Sequence, residues 1–266
     1  MAGLTGKTIA TAYKSLLRID DDTNGIDTTA ENVTDGGGTV SALKLSDDVV
    51  QLIPNNDDTT AAFSVRTKGG AGLLTVDTTN SVVKAGVGQF NVLTKYAYFG
   101  IAAGASASYA ADTHQAIPFM TGAHSHLTYP PSFGTGTDPA TTFTTSDDNT
   151  TRASDIAICM WYVPDNIYID AVSAIEGADT ATGEDTDMHL FSYTLNSGST
   201  SCLTAGTLLA HNTPFTNAGD EQAYLTTWAI DSNSVAAGKV ILAFFESVST
   251  VNSDYSINIT VKYHLV

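Results

Sequence analysis

Residues 255–265, YSINITVKYHL, alternate apolar and polar side chains from end to end. In an extended strand Tyr255, Ile257, Ile259, Val261 and Tyr263 share one face, because successive side chains point to opposite sides. That period of two is the signature of a half-buried strand. Working back from it, DIAICMWYV (155–163), NIYIDAVSAI (166–175), DMHLFSYTL (187–195), TLLAH (207–211), AYLTTWAI (223–230) and KVILAFFESV (239–248) are further strand candidates. Turn signals separate them every dozen or so residues, and no helical pattern lies between them. The expectation for residues 152–266 is an antiparallel β-sandwich of jelly-roll type, a head domain. Composition agrees with an all-β chain. Hydrophobic residues make up 42% and charged residues only 15%, and the polar remainder is mostly Thr, Ser, Asn, Asp and Gly, which suits strands and tight turns.

Upstream, residues 26–95 read as two degenerate copies of one unit of roughly 32 residues, by the self-similarity test. NVTDGGGTVSALKLSDDVVQL answers to SVRTKGGAGLLTVDTTNSVVKA: Val33 matches Val65, Gly37-Gly38 match Gly69-Gly70, and Val49-Val50 match Val82-Val83. Strands this short cannot bury both faces within one chain. The same segment from several chains wound together closes a core, so the expectation is a homo-oligomeric β-shaft, the alternative being a meander that opens a larger domain. Residues 96–151, with AAGASASYAAD and TYPPSFGTGTDPATTFTTSDDNTT, read as a connector with long loops. At the other end, KTIATAYKSLLRI (7–19) places Ile9, Tyr13, Leu16 and Leu17 on one helical face. A helix that short must dock on something, so residues 1–25 are expected to be a short attachment arm.

The formal net charge is −17. Residues 1–95 hold 8 basic and 11 acidic residues, net −3, and residues 96–266 hold 3 basic and 17 acidic, net −14. That balance opposes nucleic-acid binding, which needs cations to neutralise phosphates, and keeps the C-terminal part soluble. The less charged N-terminal part is the better surface for partners. Cys159 and Cys202 lie in apolar surroundings, which favours two reduced, buried thiols. MAGLTGKTIA has no apolar signal core and no stretch approaches 18 apolar residues, so no membrane insertion is expected.

The order of these parts, with GLTGKTIATAYKSLL (3–17), DDDTNGIDTTAENV (20–33), DGGGTVSALKLS (35–46), VAAGKVILAFFES (235–247) and DYSINITVKYH (254–264), resembles virion structural proteins of tailed bacteriophages. The nearest likeness is to fibre or capsid-decoration proteins of marine and cyanobacterial phages. The resemblance implies a short N-terminal segment attached to the particle, a trimeric β-shaft and a jelly-roll head facing solvent. It implies a homotrimer on the virion exterior, assembled in the bacterial cytoplasm, with capsid or tail proteins as partners and no enzymatic role. The alternative it carries is a tail fibre recognising host-surface carbohydrate through the head.

Several constellations carry possible chemistry. DDDTNGIDTTAE (20–31) fits an EF-hand loop, with Asp20, Asp22 and Asn24 at positions 1, 3 and 5, Gly25 at 6 and Glu31 at 12. A working EF-hand needs a helix on both sides. NVTDGGGTV follows Glu31, and each of its three glycines costs about 1 kcal/mol in a helix. The stretch therefore reads as a helix stop and turn, with Asp20, Asp22 and Asn24 kept as a calcium candidate. His124 and His126 share a strand face. Three chains meeting at an axis there would offer six nitrogens to one octahedral transition metal, against the simpler reading of a loop pair. His114, His189, His211 and His264 stand isolated and read as structural. Gly183–Asp187 concentrates three carboxylates and reads as a solvated turn. GKT (6–8) lacks the upstream strand and glycine of a phosphate loop. No Gly-x-Ser-x-Gly elbow is present. Trp161, Tyr162, Tyr168 and Trp228 lie in core-like strands and are expected to pack inside.

Overall fold

The computed structural model of the chain describes residues 16–21, 23–103, 112–119, 131–148, 151–178, 185–216, 222–247 and 255–266. The fold is all-β, and every strand pairing in its four sheets is antiparallel. The chain divides into two units, 1–93 and 94–266.

The first unit contains two successive meanders. One is β1 (Leu17–Ile19), β2 (Glu31–Asp35), β3 (Val40–Leu45) and β4 (Val50–Leu52). The other is β5 (Phe63–Arg66), β6 (Gly72–Asp77), β7 (Val82–Ala85) and β8 (Phe90–Asn91). The internal repeat appears as geometry. Gly38 and Gly70 adopt φ of +85° and +88° in the turns after β2 and β5, a region that costs glycine nothing. The Gly38 amide donates to the Asp35 carbonyl at 3.0 Å, as the Gly70 amide donates to the Thr67 carbonyl at 2.9 Å. Leu45 faces Val50 across β3 and β4, and Val76 faces Val83 across β6 and β7.

The helix expected over residues 7–19 is not what its C-terminal end forms. Residues 17–19 are β1, with Leu17, Arg18 and Ile19 opposite Asp35, Thr34 and Val33. A one-face helical pattern of a dozen residues is marginal alone, and ladder hydrogen bonds to β2 prevail there. The pattern's remainder, residues 7–15, lies outside the described residues.

In the second unit two sheets face each other. One runs β16 (Gln222–Thr227), β12 (Ile167–Ala178), β20 (Tyr255–Leu265), β9 (Thr94–Ala103), with β18 (Ser234–Val235) alongside β12. The other runs β10 (Gln115–Ile117), β19 (Lys239–Ser247), β13 (Asp185–Leu195), β14 (Leu203–His211), β17 (Ala229–Ile230), with β11 (Trp161–Tyr162) on β19 and β15 (Phe215–Thr216) on β13. Alternation fills the space between them: Phe99 and Ile101 from β9, and Ile257, Ile259 and Val261 from β20, meet Met188, Leu190, Ile241 and Phe245.

The second sheet is dry on its outer face too. Phe191, Tyr193, Leu242 and Phe244 point away from the sandwich and pack with Phe133, Phe143, Ile156 and Cys159. The Phe133 ring lies 4.6 Å from both Phe143 and Phe244. This is why KVILAFFES is apolar almost without alternation: a strand covered on both faces has no polar side. The cover is fixed by close approach. The Gly206 amide donates to the Thr141 carbonyl at 2.9 Å, and a Cβ on Gly206 would stand 2.8 Å from Thr141 Cα and 2.6 Å from the Tyr193 ring.

Residues 96–151 are therefore not a plain connector. Their described part supplies β9, β10 and much of the outer cover, and it belongs with the head. DIAICMWYV is not one strand either. Residues Ala153–Ile156 form a short helix, α1, and Ala157–Cys159 a 3₁₀ turn, which buries Ile156 and Cys159 at a spacing of three and leaves Ile158 outside.

Candidate functional site

Of the calcium candidates, Asp20 and Asn24 do not converge. Asp20 Oδ1 accepts from Arg18 at 3.4 Å, and the Asn24 side-chain amide donates to Asp21 Oδ2 at 3.3 Å. The residue that organises the turn is Asp21, whose Oδ1 accepts the Thr23 and Asn24 amides at 2.7 and 3.0 Å. Those bonds hold its carboxyl below the ordinary range. An aspartate closing on the backbone ahead of it explains the turn without a metal. Asp22, His124 and His126 lie outside the described residues. Among the described residues, no group of three or more His, Cys, Asp or Glu is arranged to hold a metal, and no helix is long and apolar enough to cross a membrane. Cys159 and Cys202 are buried and free, and burial pushes both thiols up. Trp161 and Trp228 are buried as expected, whereas Tyr162 and Tyr168 are exposed: each follows a buried residue on a strand and so points outward.

An uncovered apolar face lies in the first unit. Register places Phe63 beside Val76 beside Val83 in one row, and Val65 beside Leu74 beside Ala85 beside Phe90 in the next. Direct cross-strand partners share a face, so one side of the β5–β8 sheet is apolar across all four strands. The other side carries Ser64, Thr75, Lys84 and Asn91. None of the seven apolar residues is fully buried, and Phe90 is 70% exposed. In the first meander, Val50 of the Leu45–Val50 pair is 69% exposed. Among the described residues Val33 alone represents this unit in the buried apolar set. Among its described residues the one buried charge is Asp77, whose carboxylate takes Lys84 Nζ at 2.7 Å and Asn80 Nδ2 at 2.9 Å. Those bonds hold it at about 2.

A second feature was not legible in the sequence. His114, His189 and His211 are not isolated but form one cluster in the head. The His114 and His189 ring centroids are 5.0 Å apart, and those of His189 and His211 6.5 Å. His114 Nε2 faces the Gly136 carbonyl at 2.8 Å and Glu246 Oε2 at 3.0 Å. Two acceptors there mean that Nε2 carries the proton. Glu246 and Asp187 are direct cross-strand partners on β19 and β13, two like charges side by side. Burial, then Glu246, pushes the Asp187 carboxyl up to about 6. Asp138 and Asp187 lie 3.5 and 3.9 Å from His189 Nε2. At those distances they do not offset burial, which with the neighbouring His114 pushes His189 down to about 3 and leaves it neutral. The Nδ1 atoms of His114 and His189 are buried without a hydrogen-bond partner.

No known protein family matches the chain, and no curated protein is significantly similar to it.

Proposed function

We propose that this chain is a structural protein of a tailed-phage particle, a homotrimeric capsid-decoration or short head-fibre protein. Residues 26–95 associate between copies, the N-terminal part anchors the assembly on the particle, and the sandwich of the second unit is displayed outward. The observation that carries this reading is the uncovered apolar face of the β5–β8 sheet. A four-stranded sheet with one apolar side needs a second layer to be stable in water. A second copy of the same face supplies it at no cost in sequence, and the low net charge of residues 1–95 lets copies approach. Three copies is the number implied by the resemblance to phage fibres and decoration proteins. The dense head and its net charge of −14 suit an outer, solvent-facing part.

Native mass spectrometry of the full chain tests the assembly. A mass of three 27.8 kDa chains is expected, and a monomer at micromolar concentration would overturn the reading. Imaging of intact particles then places the density at capsid or tail.

A further inference from the structure

Residues 134–138, GTGTD, form a thin strip with every residue exposed. The strip reaches two buried imidazoles of the histidine cluster. His114 Nε2 donates to the Gly136 carbonyl at 2.8 Å, and Asp138 Oδ1 stands 3.5 Å from His189 Nε2. His114 and His189 are 0% and 4% exposed, so the strip stands between them and solvent. Its ends are fastened by other means. On one side the His114 amide donates to the Gly134 carbonyl at 2.9 Å and the Phe133 amide to the His114 carbonyl at 2.7 Å. On the other, Pro139 is buried, and the Ala140 carbonyl accepts from Tyr193 Oη at 2.9 Å. Gly134, at φ +90° with open space where a Cβ would stand, is a natural hinge between them.

The imidazoles make the strip's hold depend on protons. Nε2 of His114 already carries one, so a second must go to Nδ1, and the Nδ1 atoms of both rings are buried without an acceptor. An imidazolium has two donors to satisfy, and a buried charge with an unpaired N–H is stable only if water reaches it. The charged groups that face the pair come from four elements. Asp187 on β13 and Glu246 on β19 are cross-strand partners, Asp138 belongs to the strip, and His211 on β14 pairs with Asp231 at 2.8 Å; Asp112 acts on Glu246. Asp187 and Glu246 are both raised. They become neutral as pH falls and then compensate an imidazolium less.

We propose that residues 134–138 are an acid-released latch, which swings out on Gly134 to hydrate His114 and His189 while the two-sheet core stays closed. Opening on this side disturbs five exposed residues. Opening on the other would part the sheets that Met188, Leu190 and Phe245 join, so the local route prevails. The consequence is a change of sign at one end of the head. Closed, it presents carboxylates beside neutral imidazoles; open, it presents imidazolium groups beside neutral carboxyls. Within residues 96–266, of net charge −14, that is a cationic patch that exists only in acid. Every residue involved lies in the second unit, so the inference stands apart from the self-association of the first.

Hydrogen–deuterium exchange of the full-length protein, read by mass spectrometry at pH 7.5 and 4.5 and corrected for the intrinsic pH dependence of amide exchange, tests the latch. Peptides carrying the His114 and Phe133 amides should lose protection about tenfold on acidification. A single imidazole held as low as His189 gives about tenfold per pH unit below 6.5. Asp187 and Glu246 oppose it, since each binds its proton more tightly closed than open. Peptides from β12 and β20, which exchange only when the sheets part, should stay the more protected at both pH values. His189→Gln, which cannot take the charge, should lessen the change. Three results overturn the proposal: His114 and Phe133 as protected as β12 and β20 at pH 4.5, no change between the two pH values, or the same change in His189→Gln. The wild-type protein alone supplies the first two.

Discussion

The two units use the same strand chemistry and end in opposite states. In the second, β19 runs Val240 to Phe245 without an exposed side chain, because one sheet covers its inner face and Phe133, Phe143, Ile156 and Cys159 cover the outer. In the first, the β5–β8 sheet presents an equally apolar face to nothing among the described residues. What differs is the number of layers each segment brings with it. The head carries three layers in one chain and completes its core alone. The first unit carries single sheets, whose missing layer has to come from another molecule.

Separating the units gives the largest effect. Residues 94–266 expressed alone should unfold in one cooperative, concentration-independent transition. Residues 16–93 alone at submicromolar concentration should lack a stable fold and gain one as concentration rises, because the layer they need is bimolecular or higher in order. A first unit that melts cooperatively and independently of dilution would break the comparison. Next comes Phe90→Asp. On a monomer a change at so exposed a site is worth within about 0.5 kcal/mol; in the assembly it buries a charge. The mass in solution should fall to one chain while the head's melting temperature stays put. Third, Phe244→Ala in the head should cost about 3–5 kcal/mol, since its buried ring packs against Phe133, Phe191 and Tyr193. Phe90→Ala, at equal chemistry, should leave the head's transition unmoved.

The strands of the head were legible in the sequence where one face was wet. Alternation in YSINITVKYHL gives β20 and its buried face directly. It failed where a covering segment replaced water: nothing in TYPPSFGTGTDPATTFTTSDD shows that Phe133 and Phe143 dock on a sheet formed more than 40 residues later, because the partner surface is created only by folding. The histidine cluster was hidden for the same reason. His114, His189 and His211 are far apart in the chain, and the pairing of β13 with β14, together with that of β10 and β13 with β19, brings them to one end of a sheet.

Acid should separate the units again, more gently. His189 is neutral in the fold at pH values where the unfolded chain, with an ordinary value near 6.5, is already protonated. Its stabilising contribution is complete above pH 6.5 and is lost as pH falls toward 3, on the order of 5 kcal/mol. His114 acts in the same direction. Asp187 opposes them: raised to about 6, it binds its proton more tightly folded than unfolded, so its cost above pH 6 is relieved as pH falls toward 3.8. Glu246, raised by burial and by Asp112, acts in the same direction as Asp187. The depression of His189, joined by His114, outweighs the two carboxyls, and the head should weaken between pH 6.5 and 4. His189→Gln, which cannot take the charge, should flatten that slope in denaturant titrations at stepped pH; an unchanged slope would assign the loss elsewhere.

The smallest effect belongs to the first unit and lies lower on the pH scale. Asp77, held at about 2 by Lys84 and Asn80, contributes stability above pH 3.8 that is lost as pH falls toward 2. Between pH 6.5 and 4, then, the first unit should keep its stability while the head declines, the reverse of their order under dilution. Asp77→Asn tests the assignment, since it removes the titrating group but keeps an acceptor for Asn80. The variant's first-unit transition should start lower at neutral pH and lose its dependence on acid between pH 4 and 2. A wild-type transition already flat in that window would mean that the Lys84–Asp77 pair contributes no more folded than unfolded.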